Sequence, residues 1–537
     1  MSTATRTADP LGGVPAGASR TLSVPRRLAA AGWAVLAAVL AVLLARYWNG
    51  PPYSPDSWGY YELSRHLGGD FFRVDSWRSY QSTEPYGLSF GPLWPVLWGG
   101  TAALTRTGAH AGLLAAVGCV LGTAAALSAL GRRVGVRGLG PLVTVGLLAF
   151  PPYLDEMLAA RTFPLAGLLL SLLVLALVGT DRRPGPAWPA VGAVTGALVL
   201  TRPGLLFAVP LLAVLLLVTH RRQWRQLLGA GLVLAAVLTP WAVYGLAHFG
   251  TPFPGDNRIV VAAVPQLYFS DVLDLDRVPT YADDPTGWLA RLAGNVPGTA
   301  TEVLRAAILA PTVVLTAGGL LLLHRWWAVR PAPGWLPVLL IVLPTFVAEV
   351  TFAELSTGYR DHRYLSLVVL LLVLTSVVLL YRTPVPARLA GRTVGVAGAG
   401  LAVALLALPA AWALTFQFDT VPPQPHALDG GPVEQELRRC QDDGTTLAMR
   451  SGTLTARHSA LTGARTANLP HNFAQLTPAQ RRNWITTYGI GQLYLPPVGA
   501  APEHVRPDDE PLTLLAAAAR VTPDRCATIG RLYRVTP

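Results

Sequence analysis

Long stretches almost without charge constrain this chain more than any other feature. They run for about 17–22 residues, are filled by Leu, Ala and Val, and leave the charged residues concentrated between them. Lipid as solvent imposes this pattern, because backbone groups inside a bilayer must be satisfied within a helix or a closed barrel. The 537 residues are 52% hydrophobic and 13% charged, against roughly 25% charged in an average soluble domain. The pattern predicts a polytopic α-helical membrane protein. Its spans fall near residues 27–48, 110–131, 138–152, 163–179, 187–201, 204–219, 227–248, 305–323, 335–353, 364–381 and 393–415. Residues 1–26, rich in Ser, Thr, Pro, Gly and Arg, read as a disordered tail. The apolar run behind them is too long for a signal-peptide core and lacks a cleavage site, so it reads as an uncleaved first span.

Charge sets the topology. The net charge is +12, and all 42 basic residues are Arg. Arg26 and Arg27 place the N-terminus in the cytoplasm. The basic loops Arg132/Arg133/Arg137, Arg182/Arg183, Arg221/Arg222/Arg225, Arg325/Arg330 and Arg382/Arg388/Arg392 join them there only if residues 89–105 do not cross. That segment holds Gly91, Pro92, Pro95, Gly99 and Gly100, which suits a re-entrant or surface-lying helix. The expectation is 11 transmembrane helices over residues 27–417, with extracytoplasmic loops 49–88 and 249–304 and outer turns 153–162 and 354–363. No basic stripe with interleaved aromatics supports a nucleic-acid partner.

Residues 418–537 are polar and read as a small extracytoplasmic α/β domain. Helices are expected at 431–440 and 477–487, and strands at 445–450, 490–495 and 529–535. Cys119 lies in a span. Cys440 and Cys526 would face an oxidising compartment, where a disulfide between them is expected and two separate thiols are the alternative. No Cys/His metal spacing is present.

Three places carry candidate chemistry. Asp56 follows the first span closely, at a boundary that a lipid headgroup and a water-soluble acceptor can both reach; it also suits a helix start. Asp155 and Glu156 sit in a short outer turn after Pro151-Pro152, and ionisable groups beside a span are functional candidates. Arg360, His362 and Arg363 stand before the span at 364–381, where a helix N-terminus and guanidinium groups make an anion site. Glu62, Asp70, Asp75 and Glu84 add acidity to the first loop, and Glu349 lies near the outer end of a span.

The order and spacing of further short motifs complete a pattern. They are Asp56-Ser-Trp-Gly-Tyr-Tyr, Gly91-Pro-Leu-Trp-Pro, Arg132-Arg133, Pro151-Pro152, Thr201-Arg202-Pro203-Gly204, Phe249-Gly-Thr-Pro-Phe-Pro and His362-Arg363-Tyr364-Leu365. In the C-terminal region Leu461-Thr-Gly-Ala-Arg, Asn468-Leu-Pro and Tyr488-Gly-Ile-Gly-Gln-Leu-Tyr follow. Together they resemble the GT-C superfamily of glycosyltransferases, in its protein mannosyltransferase and aminoarabinose transferase-like branch. The resemblance implies a donor sugar on a polyprenyl phosphate and a glycan, protein or lipid acceptor at the outer face of the inner membrane. It implies that Asp56 is a base or metal partner, that Asp155 or Glu156 is the second acidic position, and that Arg363 lies near the carrier phosphate. Trp58, Tyr60, Tyr61 and Glu62 are then expected to line the substrate site, with Trp77 nearby. Many relatives carry paired acidic residues in the first loop, whereas Ser57 follows Asp56 here, so the need for a divalent cation is left open. A secondary transporter would show internal hydropathy repeats, and none stands out. A non-catalytic envelope scaffold is the third reading.

Overall fold

The structure is a computed structural model that describes residues 20–21, 24–68, 71, 73–77, 91–178, 186–250, 252, 285–309, 341, 344–345, 362–382, 384–385, 392–420, 422–424, 428, 430–470, 473–497 and 510–537. A two-residue strand β1 (Arg20–Thr21) precedes α1 (Arg26–Tyr47) and α2 (Pro55–Arg65). Then come β2 (Ser76–Trp77), α3 (Leu93–Thr105), α4 (His110–Val134), α5 (Leu139–Leu148) and α6 (Pro151–Leu158). The bundle continues with α7 (Phe163–Leu177), α8 (Trp188–Thr201), α9 (Ala208–Thr219), α10 (Trp224–Phe249) and α11 (Pro285–Leu309). It closes with α12 (Ser366–Arg382), β3 (Pro384–Val385) and α13 (Arg392–Thr420). The C-terminal layer holds α14 (Gly431–Cys440), β4 (Thr446–Met449), α15 (Gly452–Thr462) and β5 (Thr466–Asn468). It ends with α16 (Pro478–Thr487), β6 (Ile490–Leu495), α17 (Glu510–Ala516), β7 (Arg520–Asp524) and β8 (Arg531–Thr536).

Among the described residues, Arg26–Tyr47, His110–Val134 and Arg221–His248 are long and apolar enough to cross a membrane. A fourth span exists if α6 and α7, which meet at 114°, are one broken span. The eleven expected spans are therefore not all of spanning length. α5 and α8 have 10 and 14 residues, or about 15 and 21 Å, against a hydrocarbon core of about 30 Å. The cause is local: Gly138 at φ +73° opens α5, Pro151 restarts the chain as α6, and Pro203 stops α8. The expected spans 305–323 and 335–353 lie almost wholly outside the described residues. The described helix α11 begins inside the segment expected as an outer loop.

Contacts define two ends of the bundle. At one end β1 pairs antiparallel with β3, which corrects the expectation that the whole N-terminal tail is disordered. There too Arg133 Nη1 donates to the carbonyl of Val178 at 2.7 Å, and Trp188 Nε1 donates to Gln223 Oε1 at 2.8 Å. The opposite end carries Tyr53, whose hydroxyl donates to Ala109 O, and Trp94, whose indole donates to Ala160 O, both at 2.8 Å. The described part of the segment 89–105, residues 91–105, has both termini at this second end. A Cβ on Gly91 would fall 2.2 Å from Leu200 O at the close of α8, and one on Gly112 would strike the Trp98 ring at 2.3 Å. Only glycine allows α3 to pack so closely against α4 and α8.

The C-terminal layer is a six-stranded sheet in the order β2-β5-β4-β6-β8-β7. The first four strands run parallel and the last two join antiparallel. The predicted helices 431–440 and 477–487 and the predicted strands are present with small boundary shifts. α15, β5, α17 and β7 were not foreseen. The larger correction is β2. A strand from the first loop forms one edge of the sheet, so the C-terminal layer is stitched to that loop rather than separate from it.

Cys440 and Cys526 form a disulfide, with Cα atoms 5.6 Å apart. It sits beside a second latch. Glu436 accepts hydrogen bonds from the backbone of Thr528, Ile529 and Gly530 and from the Tyr494 hydroxyl. Burial alone would raise the Glu436 pKa, but these donors outweigh it and hold the carboxyl at about 2. A depressed folded-state value contributes stability that is fully present above the unfolded carboxyl's value of about 4.3. That stability is lost as pH falls through about 2. Glu436→Gln is expected to destabilise this layer by about 2 kcal/mol at pH 7, seen as earlier thermal unfolding of the full chain in detergent. The gap from the unmodified chain is expected to shrink steadily from pH 5 downward, and a gap independent of pH would contradict the assignment.

Candidate active site

The site grows from two short helices and one turn at the end of the bundle where Trp94 and Tyr53 lie. α2 starts with a capping box in which Ser54 and Ser57 satisfy each other's backbone N–H, and Pro55 takes the first helical position. Asp56 therefore sits in the first turn, where the helix dipole favours a carboxylate. α6 begins at Pro151 and carries Asp155 and Glu156 in its second half. The chain then reverses through Ala160 at φ +52°, a left-handed conformation that costs a non-glycine residue about 1–2 kcal/mol. The Trp94 indole bound to Ala160 O helps to hold it. The reversal sends Arg161 back over its own helix.

A ladder of alternating charge results. Arg161 bonds Asp155 Oδ2 at 3.2 Å and also bonds Glu156 Oε1. Arg363, from the helical turn His362–Leu365 before α12, has Nη1 3.8 Å from Glu156 Oε1 and 3.8 Å from Asp56 Oδ2. Glu156 is 1% exposed while Asp56 is 44% exposed. The ladder thus runs from a sealed carboxylate to an open one. A lone buried carboxylate would cost several kcal/mol; the two guanidinium groups offset part of that cost, and burial still holds the Glu156 carboxyl above its ordinary pKa.

Three more side chains close the cluster. Tyr60, one turn after Asp56, hydrogen-bonds Thr162, and burial followed by the charge of Asp56 raises its pKa and keeps the phenol protonated. Arg202 donates to Thr162 Oγ1 at 3.4 Å and stacks its guanidinium 3.8 Å from the Phe163 ring centre. Tyr364 lies under both Arg202 and Arg363. Beside this cluster is a small apolar pocket of about 30 Å³ lined by Leu170, Leu173, Leu198, Leu205, Leu212 and Leu367. Leu198 and Leu205 flank Arg202 in sequence, and Leu367 follows Arg363 by one helical turn.

Of the residues predicted for the site, Asp56, Asp155, Glu156, Arg363 and Tyr60 converge. Three do not. Trp58 is 1% exposed and packs edge-on against Tyr53, because it lies on the α2 face turned to the core. Tyr61 packs against Trp58 and Trp98 on that side. Glu62 is buried in hydrogen bonds to Ser76 and Ser459, away from the ladder. The three side chains pack on the core and sheet sides of α2 rather than joining the ladder. Arg360, Asp70, Glu84 and Glu349 lie outside the described residues, as do the side chains of His362 and Trp77.

Arg161, Thr162 and Arg202 were missed as site residues. The available signal was position: Arg161 closes the acidic turn, and Arg202 is a basic residue between two spans on the side opposite the arginine-rich loops. Among the described residues no three Asp, Glu, His or Cys side chains gather as metal ligands. Arg161 and Arg363 occupy the gaps between the carboxylates that a divalent cation would need. Among the described residues the carboxylates are engaged by arginines rather than grouped for a cation, and no step is derived through one.

No protein-family model and no curated protein matches the sequence. Solved structures do match in fold. ArnT from Cupriavidus metallidurans bound to undecaprenyl phosphate superposes with a TM-score of 0.57 at 18% identity, covering 94% of this chain and 98% of that one. The apo oligosaccharyltransferase of Archaeoglobus fulgidus gives 0.54 at 12% identity, over 87% of this chain and 69% of its own. The mycobacterial arabinofuranosyltransferase AftD gives 0.53 at 16% identity, over 96% of this chain and 40% of its own. These are GT-C superfamily glycosyltransferases, and the chain shares their fold, as the sequence resemblance implied.

Arg161→Ala strips the sealed Glu156 of its nearer partner and is expected to cost about 3–5 kcal/mol. Arg161→Lys should recover part of it. Thermal unfolding in lipid nanodiscs measures both, and an unchanged midpoint for Arg161→Ala would show that the ladder does not hold Glu156.

Proposed function

We propose that the protein is a membrane glycosyltransferase that takes a sugar from a polyprenyl phosphate and transfers it to a cell-envelope acceptor. The observation that carries this reading is the meeting of Asp56 and Arg363 across more than three hundred residues of chain, beside a small apolar pocket. The site lies at the end of the bundle opposite the arginine-rich loops, which supports an outer-face location with the N-terminus in the cytoplasm. The C-terminal layer is then extracytoplasmic, in agreement with its disulfide. The shared fold supports the donor class. One structure of that fold holds undecaprenyl phosphate, and the archaeal oligosaccharyltransferase has been solved with dolichol phosphate. The same oligosaccharyltransferase has also been solved with zinc.

The residues divide the work by exposure. Asp56 is the open end of the ladder and accepts the proton of the acceptor hydroxyl as its oxygen attacks the anomeric carbon. The bond from that carbon to the phosphate oxygen breaks, and polyprenyl phosphate leaves with the bonding pair. Arg363 and Arg202 face the developing negative charge and stabilise it in a site of low dielectric. The carrier chain runs along the apolar side chains that line the small pocket below them. Glu156 and Arg161 hold Arg363 in place and do not touch the reacting atoms. One direct displacement inverts the anomeric centre.

Turnover of undecaprenyl phosphate-linked mannose, glucose and arabinose by the protein in nanodiscs, read as release of undecaprenyl phosphate with an envelope extract as acceptor, tests the proposal. Asp56→Asn is expected to lower kcat by about 10²–10⁴-fold. Arg363→Ala is expected to lower it by about 10²-fold or more. Full turnover by Asp56→Asn would remove Asp56 from the role of base.

A further inference from the structure

We infer that Glu62 is a positioning residue, through which the C-terminal sheet fixes the orientation of the helix that carries Asp56. The inference rests on the transferase reading and extends it to a residue that touches none of the reacting groups. Glu62 lies six residues beyond Asp56 on α2 and is 1% exposed. Its Oε1 accepts a hydrogen bond from Ser459 Oγ of α15 at 2.7 Å and another from the backbone N–H of Asp75. Its Oε2 accepts from Ser76 Oγ of β2 at 2.8 Å. One carboxylate thus joins three segments, of which the most distant is 397 residues away.

The surroundings make this joint a clamp. β2 is locked into the sheet, since Thr466 N donates to Asp75 O at 3.0 Å and Ser76 and Trp77 pair with Thr466 and Ala467. α15 lies along α2, with Ala456 and Ala460 buried in the same apolar core as Trp58 and Tyr60. Arg65, the last residue of α2, donates to Ala460 O. The C-terminal half of α2 is therefore held by the sheet layer, while its N-terminal half presents Asp56 and Tyr60 to the ladder.

Geometry explains why that matters. A side-chain terminus stands about 6 Å from its helix axis, so turning α2 by about 20° would carry the Asp56 carboxylate roughly 2 Å. A misplacement of about 1 Å at a reacting centre can cost about 10²-fold in rate. A carboxylate suits the joint because it only accepts, and Asp75 N–H, Ser76 and Ser459 donate to it. Glutamine can keep most of the arrangement: its carbonyl accepts from Asp75 N–H and Ser459, and its amide donates to the Ser76 hydroxyl.

The test uses the full chain in nanodiscs and whichever of the three undecaprenyl phosphate-linked sugars the unmodified protein consumes. Glu62→Ala is expected to lower kcat by about 10–100-fold while the donor KM stays within about twofold, because the groups that bind donor phosphate are untouched. Glu62→Gln should restore most of the lost kcat. Ser459→Ala removes a single bond from the sheet side and should lower kcat by about 3–10-fold. The double variant should be no slower than Glu62→Ala alone, since both act through one joint. If Glu62→Ala does not fold, the kcat of Ser459→Ala alone decides. Full kcat in folded Ser459→Ala, or losses that multiply in the double variant, would overturn the inference. Asp56→Asn in the same assay separates the two ideas. No turnover of any of the three sugars by the unmodified protein defeats the transferase reading, a fully active Asp56→Asn removes Asp56 as the base and the positioning role with it, and an inactive Asp56→Asn beside fully active Glu62 and Ser459 variants defeats only the positioning role.

Discussion

The pairing of buried Glu156 with Arg161 and Arg363 is the interaction on which the rest of the site depends. A carboxylate that is 1% exposed at the end of an apolar bundle cannot stay charged without cations beside it. Meeting that need draws Arg161 back through the left-handed turn at Ala160 and draws the start of α12 toward α6. Once Arg363 is there, its guanidinium also reaches Asp56 on α2. The open carboxylate thus owes its cationic neighbour to a requirement set by the sealed one. In the proposed reaction this separates two tasks that a single Arg–Asp pair would have to share: holding the cation still and taking a proton.

A second constraint acts from the opposite side. α2 has only 11 residues, too few for an isolated helix to be stable in water. Its first turn is fixed by the Ser54–Ser57 capping box and its last turns by Glu62, Arg65 and the sheet. The strand β2 makes this possible by carrying the first loop into the C-terminal sheet. The α/β layer therefore serves as the outer support of the site as well as a module with its own core.

Much of this was legible in the sequence, and the limits were physical. The periodicity of charge-free stretches located most of the helices, because burial in lipid or protein needs no partner to be known. The same signal overstated their length: Gly138, Pro151 and Pro203 break helices that hydropathy alone runs together. Asp56, Glu156 and Arg363 were visible as charges beside apolar segments, where few charges occur without a role. That Trp58 and Glu62 turn away from the ladder was not legible, because adjacent residues on a helix point about 100° apart and no local pattern says which face of α2 meets the core. Arg161 and Arg202 were within reach of the topology argument, as arginines on the side where the charge bias places few. The tie from Glu62 to Ser459 was not within reach, since nothing local in the sequence links positions so far apart.

The central claim is that the arginines at this end of the bundle hold a lipid-borne phosphate beside Asp56. A cryo-EM structure of the protein in nanodiscs with undecaprenyl phosphate tests it most directly. The account predicts the phosphate within hydrogen-bonding distance of Arg363 and Arg202, with the prenyl chain running along the pocket between Leu198, Leu205 and Leu367. A phosphate bound at the arginine-rich end, or a chain seated away from that pocket, would contradict it.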